Sequence, residues 1–316
     1  MILTTHNLTI GYTKTIIAHN LNLSLLRGEL VCLLGPNGAG KSTLMRTLAA
    51  MHPPLSGEIR LMGQNIRQLK HPDLATRLSV VLTDRPDTGQ MCGYELVALG
   101  RHPYTNWSGR LTQQDQQIIQ RALALTGATD LANQPVAQLS DGQRQKIMIA
   151  RALAQDTPLI LLDEPTAFLD LPRRVEIMRL LRQLARQTNR AILLSTHDLD
   201  LALRTADQLW LMAIGGIIQT GAPEDLVLNG AFQTVFQNDG LFFDLDTGAF
   251  RIHDHPTGKI SVHGEGIRAT WARRAVERIG YTIVDDAPLV IEVLNDSYKL
   301  RGKIYKFLYN LVKDLA

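Results

Sequence analysis

Short apolar runs and alternating segments fill the first part of the chain and predict strands separated by helices. Residues 2–4, 8–10 and 21–25 alternate between apolar and polar side chains, as half-exposed strands do. Residues 30–34 form a continuous apolar run, which is typical of a strand buried on both faces of a parallel sheet. A glycine-rich loop and a helical pattern at residues 42–50 follow this run. A strand, a tight loop and a helix in this order open an α/β unit.

The pattern changes to helices at about residues 88–155 and then returns to strands. The sequence therefore predicts an α/β domain at residues 1–230, in which a helical insert interrupts a parallel sheet. The elements predicted after residue 88 are helices at 113–125, 143–154 and 173–187 and strands at 159–162, 191–195 and 209–212.

A second domain is predicted at residues 240–316, because asparagine, aspartate and glycine interrupt the pattern at residues 229–240. Residues 242–243 and 249–252 flank the turn signal Asp246-Thr247-Gly248, which predicts a hairpin. The sequence thus predicts a small C-terminal α+β domain. Its further elements are predicted as strands at 260–262, 281–284 and 289–294, a helix at 269–279 and a long last helix at 298–315.

Composition and charge narrow the class of protein. The chain has 316 residues, and its apolar fraction of 45% excludes wholesale disorder. A net charge of +3 provides no general nucleic-acid surface, so no nucleic-acid partner is expected. Cys32 and Cys92 lack the spacing of a metal or disulfide framework and favour a reducing compartment. No apolar run approaches the roughly 20 residues of a membrane helix, and no secretion signal is expected.

Residues 35–43 match the pattern G-x-x-x-x-G-K-[ST] between a predicted strand and a predicted helix. Glycines let backbone N–H groups surround phosphate oxygens, and the helix N-terminus adds partial positive charge. Lys41 is expected to reach the β- and γ-phosphates of a nucleoside triphosphate, and the Ser42 hydroxyl to ligate Mg²⁺. The alternative, an ordinary glycine-rich turn, does not account for the strand and helix around it. The predicted nucleotide-binding residues of this loop are Gly35, Pro36, Asn37, Gly38, Ala39, Gly40, Lys41, Ser42 and Thr43.

Asp163 and Glu164 end the apolar run at residues 159–162. A buried strand that delivers an aspartate to the carboxyl edge of the sheet places a hard oxygen ligand near Mg²⁺. The adjacent glutamate is expected to polarise the attacking water as a general base. Two acids that merely end a strand in solvent are the alternative. Together with the phosphate loop, the pair predicts binding and hydrolysis of a nucleoside triphosphate.

Residues 139–143, Leu-Ser-Asp-Gly-Gln, together with the helix and carboxylate strand that follow them, resemble the signature of the ABC-type ATPases. The resemblance covers roughly residues 1–228 and implies the ABC-type P-loop fold. It also implies that two copies sandwich two ATP molecules, with the signature of one copy completing the site of the other. Ser140 and Gly142 are expected to act across the pair, and Gln143 is a further expected nucleotide-binding residue. Asp141 stands where the family has a second glycine, and a carboxylate there is unfavourable near phosphate unless it points away.

The resemblance assigns roles to four further positions. Asp170 lies in a loop like the one through which the two cassettes communicate, although Ala167 replaces the usual serine. His197 follows a predicted strand and resembles the switch histidine that contacts the γ-phosphate, which makes it a predicted catalytic residue. Tyr12 resembles the aromatic residue on which adenine stacks. Asp84 occupies the place of a glutamine that meets Mg²⁺; an aspartate can still ligate the cation, and Gln90 is a less favoured substitute.

Residues 94–104, Tyr-Glu-Leu-Val-Ala-Leu-Gly-Arg-His-Pro-Tyr, resemble the importer subgroup that serves iron–siderophore, haem and cobalamin uptake. The resemblance implies contact between the helical insert and polytopic permease subunits. It implies an indirect partner, a periplasmic substrate-binding protein, and a place at the cytoplasmic face of the bacterial inner membrane. The alternatives are an exporter cassette and a soluble ABC protein that acts on ribosomes or DNA. A single uninterrupted cassette without a basic run disfavours the soluble protein, and the stretch around Arg101 favours import over export.

The C-terminal domain carries two weaker signals. Residues 264–266, Gly-Glu-Gly, suggest a second nucleotide site, but the full glycine fingerprint is missing and a turn is favoured. His253, Asp254, His255 and His263 invite a metal site, but their spacing favours scattered surface histidines. A regulatory or dimer-strengthening role is the expectation for this domain.

Overall fold

The computed structural model describes residues 1–13, 15–83, 88–107, 109–236, 241–244, 248–252 and 257–315. The chain divides into two compact units, residues 1–237 with 245–249 and residues 238–244 with 250–316. Within the described residues, no helix combines the length and the apolar content that a membrane crossing requires. Three predictions concern residues that lie outside the described ranges: the Mg²⁺ ligand Asp84, the turn residues Asp246 and Thr247, and the histidine cluster at 253–255.

The first unit contains two sheets and a helical region. Its strands are β1 (Leu3–Tyr12), β2 (Thr15–Leu21), β3 (Ser24–Leu25), β4 (Leu30–Leu34), β5 (Ser56–Leu61), β6 (Gln64–Asn65), β7 (Leu78–Val81), β8 (Leu159–Leu162), β9 (Ala191–Ser195), β10 (Gln208–Met212) and β11 (Ile218–Gly221). Its helices are α1 (Lys41–Leu48), α2 (His71–Ala75), α3 (Gly93–Ala98), α4 (Gln113–Leu125), α5 (Asp141–Ala154), α6 (Leu171–Thr188), α7 (Leu199–Thr205), α8 (Pro223–Leu228) and α9 (Ala231–Phe236).

The larger sheet has the strand order β11-β10-β4-β9-β8-β7. All of its strands except β11 run parallel, in the registers β10–β4, β4–β9, β9–β8 and β8–β7. The carboxyl ends of β4, β8 and β9 therefore meet at one edge, where open α/β sheets bind their ligands. The predicted fold class, an α/β nucleotide-binding domain with a helical insert and a C-terminal α+β domain, is confirmed.

The second sheet of this unit is antiparallel, with the strand order β2-β1-β5-β6 and β3 paired to β1. Helix α1 packs its apolar face into the core that both sheets share, and Leu44 and Leu48 of α1 are fully buried there. The same core contains Leu33 of β4, Leu161 of β8 and Trp210 of β10. Burial of large apolar side chains on both sides of α1 fixes the helix N-terminus at the edge of the parallel sheet.

The helical insert is held together by a buried ion pair. Arg101 Nε lies 2.8 Å from Asp115 Oδ1, and both side chains are 6% exposed. Arg101 also donates a hydrogen bond of 2.8 Å to the Ala154 carbonyl at the end of α5. The guanidinium lies 3.9 Å from the Tyr104 ring centroid. Arg101 therefore ties the segment after α3 to α4 and α5.

The second unit contains β12 (Leu241–Asp244), β13 (Ala249–Ile252), β14 (Gly258–His263), α10 (Gly266–Arg278), β15 (Tyr281–Ile283), β16 (Val290–Val293), β17 (Tyr298–Leu300), β18 (Lys303–Tyr305) and α11 (Leu308–Leu315). The predicted pairing of β12 with β13 is confirmed. The larger sheet has the order β15-β14-β16-β17-β18, and its core includes Ile260, Ile291 and Leu311. Gly264 and Glu265 connect β14 to α10, which begins at Gly266.

The predicted last helix at residues 298–315 is wrong in its first half. Residues 298–300 and 303–305 form the antiparallel strands β17 and β18. Arg301 and Gly302 adopt left-handed conformations, with φ of +49° and +79°, and these close a two-residue hairpin. Ile304, which the helical stripe would bury, is 64% exposed. The turn chemistry at Arg301-Gly302 outweighs the helical spacing of the apolar residues.

Candidate active site

The phosphate loop joins β4 to α1 and is shaped by close backbone contacts. Gly40, the residue before α1, has a φ of +106°. A Cβ at this position would lie 2.3 Å from Ile17 Cγ2 of β2, so only glycine fits. A Cβ at Gly35 would lie 2.2 Å from the Met212 carbonyl oxygen at the end of β10. The loop is therefore held between the two sheets by contacts that exclude side chains.

Lys41 begins α1 and is 7% exposed. Its ammonium group donates hydrogen bonds to the carbonyls of Gly35 at 2.8 Å and Pro36 at 3.1 Å. Burial lowers the pKa of Lys41, and the carboxylates of Glu164 and Asp163 partly oppose this shift. The lysine therefore lies within electrostatic reach of both acids predicted to act with it. Ser42, the next residue, is exposed.

The acids predicted to act as Mg²⁺ ligand and general base follow the fully buried strand β8. Asp163 is 9% exposed, and its Oδ1 accepts a hydrogen bond of 2.6 Å from Ser195 Oγ. The Asp163 carbonyl accepts a second one of 2.8 Å from Thr83 Oγ1. These contacts fix Asp163 at the edge of the sheet, between the ends of β7 and β9.

Glu164 adopts the left-handed backbone conformation with a φ of +49°. Its N–H donates to Ser195 Oγ at 2.9 Å, so a single hydroxyl positions both acids. A non-glycine residue in this conformation is uncommon and is typical of functional sites, where the surrounding structure holds it. Glu164 Oε1 lies 2.7 Å from His197 Nε2, and the two side chains are 32% and 48% exposed. The predicted base and the predicted switch histidine are therefore in direct contact.

Ser195 is the residue that the sequence did not single out. It is the last residue of β9, lies next to β8 in parallel register, and is 1% exposed. A possible signal was its position, because it ends an apolar run in a strand adjacent to the carboxylate strand. Its hydroxyl donates to Asp163 and accepts from the Glu164 N–H, which makes it the link between the two acids.

Ser195→Ala is expected to lower ATP turnover by about 10- to 100-fold, since hydrogen bonds to charged groups contribute about 1.5–3 kcal/mol. Ser79→Ala is the matched control, because Ser79 is an equally buried strand hydroxyl whose partner is Thr157. Comparison of kcat and of melting temperature for the two variants checks the role. Equal losses of kcat in both variants would show that Ser195 has a structural role only.

The signature turn begins α5. Ser140 is the N-cap, and its Oγ accepts a hydrogen bond of 3.4 Å from the Gln143 N–H. Gln143 Oε1 accepts one of 3.0 Å from the Ser140 N–H, which completes a capping box. Ser140 is exposed, so the start of α5 presents its positive end to solvent. The predicted residue Gly142 is buried, and a Cβ there would lie 3.4 Å from Arg173 Cδ.

Asp170 is the N-cap of α6, and its Oδ1 accepts a hydrogen bond of 3.0 Å from the Arg173 N–H. The Arg173 stem also lies over Gly142, and Arg173 Nη1 binds Glu176 at 2.7 Å. Glu176 in turn holds Lys146 of α5. The predicted communication loop and the signature helix are therefore connected through one arginine and one glutamate.

Tyr12 ends β1 and is 49% exposed. Its ring centroid lies 4.8 Å from that of His52, whose Nε2 is 2.8 Å from the Gly11 carbonyl oxygen. The β1–β2 hairpin that carries Tyr12 also carries Ile17, which contacts Gly40 in the phosphate loop. Tyr12 is thus an exposed aromatic residue on the hairpin that borders the loop.

The structure brings together the phosphate loop, Asp163, Glu164 and His197 at one edge of the parallel sheet. Among the described residues, no group of three or more His, Cys, Asp or Glu side chains is arranged to hold a metal ion. The Ser42 hydroxyl and the Asp163 carboxylate are the two predicted metal ligands that lie among the described residues at this edge. Charged groups of both signs beside a helix N-terminus are suited to binding a phosphorylated ligand and to moving a proton.

Comparison with known proteins identifies the family of the chain. The ABC transporter family matches residues 18–167, and the iron ABC transporter C-terminal domain matches residues 257–316. An uncharacterised ABC transporter ATP-binding protein of Methanocaldococcus jannaschii is 42% identical over 80% of this chain and 88% of its own. The iron(3+)-hydroxamate import ATP-binding protein FhuC of Bacillus subtilis is 37% identical over 75% of this chain and 88% of its own.

Among solved structures, a metal-chelate type ABC transporter in an inward-facing conformation is similar, with a TM-score of 0.65 and 29% identity. The match covers 74% of this chain and 88% of that chain. The cassette fold and its nucleotide-binding function are shared across these proteins. The chain belongs to the ABC transporter family, as one of its ATP-binding proteins.

Proposed function

We propose that the chain is the ATP-hydrolysing subunit of an importer for iron–siderophore or related metal chelates, working as a pair of copies. The observation that carries the catalytic part is the hydrogen-bond chain from Asp163 through Ser195 and Glu164 to His197 beside the phosphate loop. The match of residues 257–316 to the iron ABC transporter C-terminal domain supports the substrate class. The similarity of the chain to FhuC and to the metal-chelate type transporter also supports it.

The phosphate loop would bind the triphosphate through its backbone N–H groups and the N-terminus of α1. Lys41 would exchange the carbonyls of Gly35 and Pro36 for phosphate oxygens, a better partner for a buried ammonium group. Tyr12 would support the adenine ring, since it offers an exposed aromatic face at the border of the loop.

The site fits Mg²⁺ through hard oxygen donors. Ser195 binds Oδ1 of Asp163 and so orients the carboxylate, while Ser42 presents an exposed hydroxyl at the start of α1. We propose that Ser42 and Asp163 hold the cation, with Asp84 as a further candidate ligand. Bound there, Mg²⁺ would neutralise charge on the β- and γ-phosphates.

Glu164 would act as the general base. Its carboxylate is one-third exposed and adjoins a cavity of about 40 Å³ that Thr83 and Arg144 also line, which is large enough for a water molecule. His197 contacts Oε1 of Glu164 and would turn its ring nitrogen toward the γ-phosphate as it binds. This pair would then orient the water and stabilise the transferred phosphoryl group.

A second copy would complete the site. The N-terminus of α5 is exposed at Ser140, and a phosphate-facing helix end of this kind is suited to cap a nucleotide held by another copy. Ser140, Gly142 and Gln143 would act across the pair, and Asp170 would join the two sites through the contact of Arg173 with Gly142. Each nucleotide would therefore require residues from both chains.

The helical insert would contact the permease subunits at the cytoplasmic face of the bacterial inner membrane, and a periplasmic binding protein would deliver the chelate to them. The segment after α3 exposes apolar side chains, with Leu99 44%, Tyr104 41% and Trp107 100% exposed. Exposed apolar groups of this kind mark contact surfaces. We propose residues 1–230 as the cassette, with its insert at about 88–155, and residues 240–316 as an accessory domain that strengthens or regulates the pair.

Uptake of radioactive iron chelates by cells that lack the gene tests this function. We expect uptake to fall, to return with the wild-type chain, and to stay low with Lys41→Ala. A Lys70→Ala chain is the control, because Lys70 is an exposed lysine that precedes α2 and is not part of the phosphate loop. Undiminished uptake in the deletion strain, with ATPase activity intact in the purified chain, would contradict the importer assignment while leaving the ATPase assignment in place.

Asp141→Gly is expected to strengthen ATP-dependent pairing of two copies severalfold. The Asp141 side chain is 40% exposed in the first turn of α5, where it would meet the phosphates of a nucleotide held by the other copy. The same change removes an acid from a helix N-terminus, which costs about 0.3–1 kcal/mol of stability. Light scattering against ATP concentration measures the pairing. Weaker pairing in this variant would show that the carboxylate points away from the nucleotide.

A further inference from the structure

Two adjoining cavities, which we call the basal cleft, lie at the amino-terminal edge of the parallel sheet. They measure about 460 and 300 Å³ and share the lining residues Asp156, Thr188 and Arg190. Pockets of a few hundred Å³ are the size that holds small-molecule ligands. The arginines of the basal cleft are Arg27, Arg77, Arg121 and Arg190.

The basal cleft is separate from the candidate active site. Arg77 immediately precedes β7, Pro158 precedes β8, and Arg190 precedes β9. Asp163 and His197 follow the opposite ends of β8 and β9. Four or five strand residues span about 15 Å, so the two sites lie on opposite edges of one rigid sheet.

The described residues that line the basal cleft include four arginines but one carboxylate, that of Asp156. Arg190 Nη2 binds Asp156 Oδ1 at 2.6 Å, and this pair is neutral overall. Arg77 donates to Gln64 Oε1, a neutral amide. Among the described residues, no carboxylate forms an ion pair with Arg27, Arg77 or Arg121. Three guanidinium groups therefore line the basal cleft without a carboxylate partner of their own among the described residues, an arrangement that favours the binding of an anion.

Arg190 is held in place for such a ligand. Its side chain is 15% exposed, and it also donates to the Leu153 carbonyl at 3.3 Å. Burial lowers the pKa of Arg190; Asp156 opposes this shift and nearby Arg121 adds to it. Guanidinium groups that are already fixed lose little entropy when they bind phosphate or carboxylate in a bidentate manner.

We propose that the basal cleft is a binding site for a compact polyanion, a small molecule that carries phosphate groups or several carboxylates. Arg27, Arg77 and Arg121 contact the anionic groups, and Arg190 bridges the two cavities. Asp156 repels negative charge close to the residues that the two cavities share. The site therefore selects anions whose charged groups reach Arg27, Arg77 or Arg121. A bound ligand would contact residues that precede β7 and β9, at the edge of the sheet opposite the proposed nucleotide site.

Calorimetric titration of the full chain with pyrophosphate and, separately, with citrate tests this site. Excess ADP occupies the phosphate loop during both titrations, so that binding there does not interfere. We expect saturable binding that weakens about tenfold or more in Arg77→Gln and in Arg121→Gln, because each loses a hydrogen bond to a charged group. Arg60→Gln is the control, since Arg60 is a half-exposed arginine on β5 outside the cleft, and it should bind as the wild type does.

Binding of pyrophosphate alone would identify a phosphate site, and binding of both probes a general polyanion site; either supports the proposal. Absence of saturable binding at about 10 mM, or binding that survives both cleft substitutions, would overturn it. A Lys41→Ala chain separates this result from the proposed function. It should lose nucleotide binding but keep polyanion binding in the cleft, because the two sites share no residue.

Discussion

Replacing Glu164 with glutamine is expected to leave ATP binding nearly unchanged and to lower turnover by about 10²–10⁴-fold, the usual contribution of a general base. The amide keeps the shape of the side chain and a contact with His197, whose ring nitrogen lies 2.7 Å from Oε1. It no longer accepts the proton of the attacking water. The phosphate loop and Asp163 are untouched, so affinity is retained while chemistry is lost.

Steady-state phosphate release and equilibrium binding of a fluorescent ATP analogue measure the two quantities separately. Glu58→Gln is the control, because Glu58 is a glutamate that pairs with Arg60 on β5, away from the site. It should retain wild-type turnover. If turnover of Glu164→Gln stays within tenfold of the wild type, Glu164 is not the general base. The proposed catalytic role of the hydrogen-bond chain would then be contradicted.

Replacing Arg101 with leucine is expected to destabilise the chain by about 3–5 kcal/mol, since removal of one partner leaves a buried charge uncompensated. Asp115 is 5% exposed and would lose its ion pair in the interior of the helical insert. Arg204→Leu is the matched control. Its partner Asp200 is 63% exposed, and such surface pairs contribute at most about 1 kcal/mol. Urea denaturation of both variants gives the comparison, and equal losses would contradict the buried pair.

The same ion pair predicts a pH dependence. The Thr112 hydroxyl, its backbone N–H and Arg101 hold the pKa of Asp115 below its ordinary value. A carboxylate with a lowered pKa in the folded state contributes stability above its unfolded pKa, about 3.9, and loses it as pH falls through the folded value. We therefore expect the wild type to lose more stability than an Arg101→Leu, Asp115→Leu double variant as pH falls below about 4. Urea midpoints at several pH values measure this difference.

Regular apolar patterns predicted much of the fold. The strands at 30–34, 159–162 and 191–195 and the helix at 113–125 have the predicted bounds, because each is a buried strand or an amphipathic helix with little competition from turns. The last helix failed for a local reason. Left-handed conformations at Arg301 and Gly302 form a hairpin, and a periodic stripe that crosses a turn does not reveal it.

Prediction of the site shows a similar limit. Lys41, Asp163, Glu164 and His197 could be named because each follows a strand in a recognisable motif. The link through Ser195 depends on the register between β8 and β9, which no single segment of sequence contains. Arg101 was part of a stretch interpreted as partner-facing, yet its guanidinium is buried and joins three helical segments. Burial of a charge depends on partners distant in sequence, so local pattern could not show it.

A cysteine crosslink between two copies tests the nucleotide sandwich most directly. One chain would carry Asn37→Cys in the phosphate loop, where Asn37 is exposed, and the other chain Asp141→Cys at the start of α5. Both chains would also carry Glu164→Gln, which retains ATP, and Cys92→Ser, which lowers background crosslinking. The account predicts an ATP-dependent crosslink between the two different chains. ATP binding without any such crosslink would contradict it.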